Sequence, residues 1–468
     1  MRLFSVACVL CIAAQAVAQE SRQATGVKVG EVTETSAVVW MRLTADATRN
    51  TKGMVRRGAP ARVLPADVKV EESEGACPGA PGQVRLRYGR RNNLEDAKST
   101  DWVEVSAARD FTHQFRLAGL RPGTVYYYSA ETAGPGGWPK HAPLRGRFQT
   151  APPASQYAEV TFTVITCQMY KDLDHRDGFH IYEAMLKLAP QFIVNTGDNV
   201  YYDNEDPRAT TIAVARYHWD RMYSYPRHIA FHLRVPGYWQ KDDHDTLSDD
   251  CWPSLPPKQM LPMTFEDGQR IFLQEVPLGE KIYRTFRWGK GLQIWLPEGR
   301  DFRSSNRMPD GPQKTIWGAE QKRWLFESIL ASDADFKVLV NQTPIVGPDR
   351  ANKSDNHANA AFFTEGNEIR QWIKKNAPKN LFVACGDRHW QYHSVHPGTG
   401  VQEFSCGPAS DQHAAGTPGY DPLYHRFHRV LGGFLSVSFR RTGAKSAITF
   451  RHHDVHGEVV YEYRRPHP

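Results

Sequence analysis

Four runs of the chain are apolar or β-branched through their centres, and each stops on polar residues. "VTFTVIT" leads to Cys167 and Gln168, "FIVNTGD" ends at Asp198, "FKVLVNQ" at Asn341 and Gln342, and "LFVACGD" at Asp387. A strand with one wet face alternates, whereas a run without alternation is covered on both faces. Between these runs lie segments at helical spacing: "IYEAMLKLA", "GAEQKRWLFESILA" and "NEIRQWIKKN". Strand, helix and strand in that order predict βαβ units, so the chain must place helices over its sheets. Ligands of such sheets gather beyond the carboxyl ends of the strands. A further run, "VPGYWQK", delivers Asp242, Asp243, His244 and Asp245 to the same rim.

The residues before this region follow another rhythm. From 24 to 150 the chain is strand-rich and turn-punctuated, with "SAVVWMRL", "QVRLRYG" and "HQFRLAGLRPGTVYYYSAET". The last stretch resembles the end of a fibronectin type III-like sandwich. A Pro/Gly/Arg-rich insert at 50–82 reads as a long loop, and "TAPPASQY" at 150–157 as a linker. The predicted organisation is a signal peptide at 1–18, an all-β sandwich at 24–150, and an α/β sandwich with mixed sheets at 157–468. Hairpins "KIYRTFRWGKGLQIWLPE" and "SAITFRHHDVHGEVVYEYR" complete the last part.

The opening "MRLFSVACVLCIAAQAVAQE" carries an early Arg2, a short apolar stretch and an "AVA" before a cleavage point near Ala18. Export as a secreted or periplasmic protein is expected. No later segment holds the roughly 20 apolar residues a membrane helix needs. Two of the seven cysteines fall in the leader, and the five that remain cannot all pair. Cys385 and Cys406, in apolar surroundings, read as packed thiols or a disulfide, and Cys167, at a strand exit, as a metal ligand. The formal charge of +7 is spread over scattered basic residues, which predicts no dedicated nucleic-acid partner but favours anionic substrates. A monomer is expected. The histidines of "RHHDVHGE" read as surface residues of the late hairpin.

Carboxylate, amide and imidazole groups on one rim suit hard or borderline cations, while thiolate and phenolate suit Fe(III). "TCQ", "GDNVY", "DDHD" and "GDRH", in that order, resemble the signature of the alkaline phosphatase D (PhoD-like) metallophosphoesterases. "WLPEGRDFR", "WGAEQKRWL" and "EFSCGPAS" resemble further blocks of that family. The resemblance implies a four-layer αββα sandwich that hydrolyses phosphate monoesters or diesters with metal-activated water. It implies Asp198 as the carboxylate shared by the metals. Cys167, Tyr201 and His389 would complete an Fe3+ position, and Asp243, Asp387 and Asn341 would hold one or two Ca2+ ions. His244 would serve the leaving oxygen, and Arg300 and Arg303 would grip phosphoryl oxygens. Two other readings compete. One is a dedicated phosphodiesterase for lipid, nucleic-acid or wall-polymer diesters. The other is a secreted Ca2+-binding adhesion or carbohydrate-binding protein, for which "DDHDTLSDDCWPS" lacks the EF-hand glycine.

Overall fold

The structure, a computed structural model, describes residues 20–55, 62–65, 67–377 and 379–467, and the leader expected at 1–18 lies outside them. The apolar runs are the central strands of two facing sheets. In the first, Val160–Ile165, Phe192–Asn195 and Gly237–Trp239 run parallel, with Ile165 beside Asn195 and Asn195 beside Trp239. In the second, Phe336–Asn341 and Leu381–Cys385 run parallel, with Asn341 beside Cys385. The two predicted hairpins form, one (Arg284–Trp288 and Leu292–Leu296) bordering the second sheet, the other (Lys445–His453 and Val459–Pro466) the first.

Phe162, Phe192, Ile294, Phe336, Phe382 and Phe404 fill the space between the sheets. Helices His180–Lys187, Ile212–Tyr223, Pro226–His232 and Phe265–Glu275 carry the residues packed outside the first sheet. Gly318–Ala331 and Phe363–Asn376 cover the second. Helix, sheet, sheet and helix stack in the four-layer order expected. Gly318–Ala331 coincides with the helical segment read from "GAEQKRWLFESILA".

The N-terminal strands form a β-sandwich, and one of its two sheets is not its own. Val27–Gly30, Ala37–Arg42 and Thr112–Leu117 continue the first sheet of the α/β part through a parallel pairing of Gly30 with Gly237. Gly82–Gly89, Val125–Ala133 and Leu144–Gln149 build the other. A single apolar core therefore runs from Val39 and Leu86 in the sandwich to Phe162 and Val338. Polar ties add to it: Lys28 Nζ donates to the Glu275 carbonyl (2.5 Å), Trp40 Nε1 to that of Gln274 (2.7 Å), and Tyr238 OH to that of Val32 (2.6 Å).

One expectation needs correction, and one left open is decided. His452 and His453 are buried, because His452 packs against Phe404 and Phe427 of the facing sheet and His453 stacks on Phe434. Their rings reach the Ser405 carbonyl (3.0 Å) and Ser436 Oγ (2.8 Å). All five described cysteines are buried free thiols, so Cys385 and Cys406 are packed and not bridged. Among the described residues no helix is long and apolar enough to cross a membrane.

Candidate metal centre

The parallel registers bring the polar ends of both sheets to one edge, and tight backbone brings them close. Cys167, Asp198 and Asp387 each sit just past a central strand with positive φ (51°, 53° and 60°). Non-glycine residues enter this region rarely, at about 1–2 kcal/mol each. Three such residues, two after neighbouring strands of the first sheet and one after a strand of the second, mark a place where side-chain direction overrides backbone comfort. Gly197, with φ of 112°, has no room for a side chain, since a Cβ there would lie 2.5 Å from Asp242 Cβ. The two sheets are pinned together where Asp387 N–H donates to Thr166 Oγ1 (3.1 Å).

The result is a knot of acids. Carboxylate oxygens of Asp198, Asp242, Asp243 and Asp387 lie within 4.8 Å of one another, and all four residues are buried. His244 shares a second such group with Asp198 and Asp243. Cys167 Sγ (3.3 Å) and Tyr201 OH (3.2 Å) both donate to Asp198 Oδ2. His389 joins through His413, whose Nε2 is 3.1 Å from both His389 Nε2 and Tyr201 OH. Asp172 Oδ2, 2.7 Å from Nδ1, orients the His413 ring. Asn341 donates Nδ2 to the Thr343 carbonyl (2.6 Å), which leaves its Oδ1 free.

Burial and crowding make this arrangement unfavourable for protein atoms alone. Burial, then Asp243, pushes Asp198 well above the carboxylate range. Burial outweighs the neighbouring Arg300 and pushes Asp242 up to about 7. Asp243 is also desolvated, yet Arg300 and His244 hold it below its ordinary value. The Cys167 thiol is raised by burial and Asp198, and His389 is held neutral by burial and His413. Asp198 Oδ1, Asp242 Oδ2, Asp243 Oδ1 and Asn341 Oδ1 are buried with no hydrogen-bond partner. Buried acceptors are nearly always satisfied, and buried like charges require compensation. Oxygen ligands, a thiol, a phenol and a neutral imidazole on one centre fit bound cations.

Two other acid clusters already contain a cation of the protein's own. Lys353 Nζ pairs with Asp250 (2.6 Å) and Asp249 (3.4 Å) beside Asp243. Arg42 pairs with Asp110 (2.8 Å) and Asp220 (2.9 Å) beside Glu275.

Arg300 and Arg303 do not stand as the sequence led us to expect. Arg300 is fully buried, with Nε bonded to Asp242 Oδ1 and NH1 donating to the Cys251 carbonyl (3.3 Å). Its NH2 lies 3.6 Å from Asp243 and 3.7 Å from Asp355. This guanidinium is turned toward the protein, where it pairs with Asp242 and lies beside Asp243. Arg303 is 4% exposed, bonds the Asp355 carbonyl and lies 5.3 Å from the Phe362 ring centroid. Asp245 accepts from Asn199 N–H (2.9 Å), Asn199 Nδ2 (2.6 Å) and Asp242 N–H (2.6 Å), which locks the turn carrying Asp242 and Asp243.

Residues 162–429 match the profile of the PhoD-like phosphatases, and residues 10–152 that of the N-terminal domain of the same family. The chain belongs to the PhoD-like phosphatase family. A curated relative, alkaline phosphatase D of Bacillus subtilis (strain 168), is 23% identical over 415 residues, covering 78% of this chain. The chain spans 64% of that relative's length. The solved structure of PhoD superposes with a TM-score of 0.71 at 18% identity, over 95% of this chain and 89% of that one. A purple acid phosphatase from yellow lupin (Lupinus luteus) seeds gives 0.60 at 11% identity, over 94% and 73%. These two likenesses concern the family fold, the αββα stack with its N-terminal sandwich.

Reasoning from sequence passed over Asp203 and His413, and placed Asp242 on the rim without giving it a role. Asp203 Oδ1 lies 2.7 Å from His244 Nδ1 and completes an acid–imidazole pair, both members 7% exposed. Asp203 follows Asp198 by five residues, in "GDNVYYD", and His413 follows "EFSCGPAS" directly in "DQH", so each stood beside a motif already noticed.

Proposed function

We propose that this chain hydrolyses phosphate esters on cations held by the acid knot. The observation that supports it most is the set of four buried aspartates sharing one 4.8 Å neighbourhood, three of them with an oxygen left without a partner. Asp198, Asp387, Asp242, Asp243 and Asn341 offer oxygens suited to Ca2+, and Cys167, Tyr201 and His389 offer the softer set suited to Fe3+. Bound there, such cations acidify a water and offset negative charge on the phosphoryl oxygens.

The chain's own residues supply the rest. His244 presents Nε2 on the side away from Asp203, as the acid that hands a proton to the departing oxygen. Burial disfavours its charged form, but Asp203, Asp243 and Asp198 more than compensate, so the ring keeps its proton above the ordinary histidine range. Asp203 fixes the ring's orientation, and Arg300 and Asp245 fix the two aspartates. The reading assigns the chemistry to 157–468 and treats the sandwich at 24–150 as its support. Export rests on the signal-like residues 1–18 alone.

Dialysis of the pure protein against a strong chelator tests the reading. Hydrolysis of p-nitrophenyl phosphate and bis-p-nitrophenyl phosphate should fall to background together with the melting temperature, and return in part with Ca2+. Asp198→Asn should abolish turnover of both esters. Full activity after prolonged chelation, or in Asp198→Asn, would refute it.

A further inference from the structure

We propose that the alcohol part of the ester lies in a cleft walled by Trp252 and rimmed by Arg307 and Lys258. This cleft would favour leaving groups with a flat apolar face and an added negative charge. The proposal rests on the phosphoesterase reading above and names the substrate class it would take.

A cavity of about 350 Å³ adjoins the acid knot, within the range of small-molecule sites. Three of its lining residues touch candidate active-site groups. Asp203 holds His244 Nδ1, Asp249 Oδ1 lies 3.9 Å from His244 Nε2, and Asp250 N–H donates to Asp243 Oδ2 (2.5 Å). His244 itself does not line the cavity, and Asp249, which does, joins it to the free edge of the imidazole. An acid must stand within hydrogen-bond reach of the oxygen it protonates. Whatever that oxygen carries therefore extends past His244, and this cavity is the space there.

Its chemistry is two-sided. Trp252, Leu255 and Met260 give it an apolar wall, and Trp252 is only 7% exposed, so its ring is held in place. The Arg307 guanidinium lies 5.7 Å from the Trp252 ring centroid, where a ring stacked on Trp252 would meet it. Asp249 and Asp250 are already paired with Lys353, whereas neither Arg307 nor Lys258 has an acidic partner among the described residues. Asp203 pairs with His244, and the two charges left outside these pairs, on Arg307 and Lys258, are positive beside the Trp252 wall. A flat ring with an anionic substituent satisfies both.

Ratios of kcat/KM test this, because they cancel damage common to all substrates. Trp252→Ala should lower the ratio for naphthyl phosphate over ethyl phosphate about tenfold, the order one stacked ring supplies, and Trp252→Phe should restore most of it. Arg307→Ala should lower the ratio for para-carboxyphenyl phosphate over phenyl phosphate about threefold, as befits a rim charge. Trp138→Ala, 74% exposed on the sandwich, should keep both ratios. A non-hydrolysable naphthylmethyl phosphonate should lose affinity for Trp252→Ala by the same factor in calorimetry. Should Trp252→Ala fail to fold, Arg307→Ala decides. Unchanged ratios in folded Trp252→Ala or Arg307→Ala overturn the cleft and leave the phosphoesterase reading standing. A parent protein that hydrolyses no ester overturns both.

Discussion

Asp203→Asn separates the orientation of His244 from its charge. The pair is 2.7 Å apart and nearly dry, and Asp203 Oδ2 also accepts the Asp249 N–H (2.9 Å). An amide keeps the shape but has one acceptor for two donors and no charge to hold the imidazolium. A hydrogen bond to a charged group contributes about 1.5–3 kcal/mol, or roughly ten- to a hundredfold in rate at about 1.4 kcal/mol per factor of ten. The loss should depend on the leaving group. p-Nitrophenolate departs without a proton, whereas an alkoxide needs one. Steady-state kcat across phosphate esters of graded leaving-group acidity should therefore fall by the full factor for alkyl esters and little for p-nitrophenyl. The line through the series should steepen. Equal losses across the series would refute His244 as the acid and leave Asp203 a purely structural residue.

Burial holds the His452 ring, first by its depth and then by the nearby His393, down to about 3 from 6.5. Between those values the unfolded chain binds a proton that the folded chain refuses. Stability should rise with pH through that window and be lost as pH falls, by up to about 1.4 kcal/mol per pH unit for this ring. His452→Gln, which keeps a donor toward Ser405, should flatten the pH dependence of urea unfolding by about one proton. Tyr201→Phe should remove the visible absorbance of an iron-loaded preparation, with iron content measured on the same sample, if the phenol is an iron ligand. Gly197→Ala forces a left-handed residue against Asp242 and should cost at least about 2 kcal/mol in urea unfolding, together with retained cation.

The strands that deliver the site were legible because each is a short apolar run that ends abruptly. Cys167, Asp198, Asp243, Asn341, Asp387 and His389 follow such ends or lie within a few residues of them, and parallel pairing carries them to one edge. What the pattern could not convey was anything set by loops. Asp242 and Asp243 are neighbours past the end of a strand, in a turn locked by Asp245, where no period says which side chain faces inward. Both face the knot. Arg300 stood as a substrate clamp only through the family resemblance, and its partners Asp242 and Asp355 lie 58 and 55 residues away, beyond any local pattern. His452 and His453 looked exposed because a hairpin read alone has one wet face, and here other layers cover it.

The single pairing of Gly30 with Gly237 has a consequence for how this chain can be divided. Gly237–Trp239 is the strand that leads into Asp242 and His244, and on one side its only sheet neighbour comes from the sandwich. A fragment starting at residue 157 would leave that strand as an exposed border with unsatisfied amides and carbonyls, a template for joining another chain. The donors of Lys28 and Trp40, which hold the last turn of Phe265–Glu275, would leave with it. The border newly opened to self-association would be the one next to the acids. The N-terminal strands therefore cap the border of the sheet that carries the acids, and trimming the sandwich removes that cover.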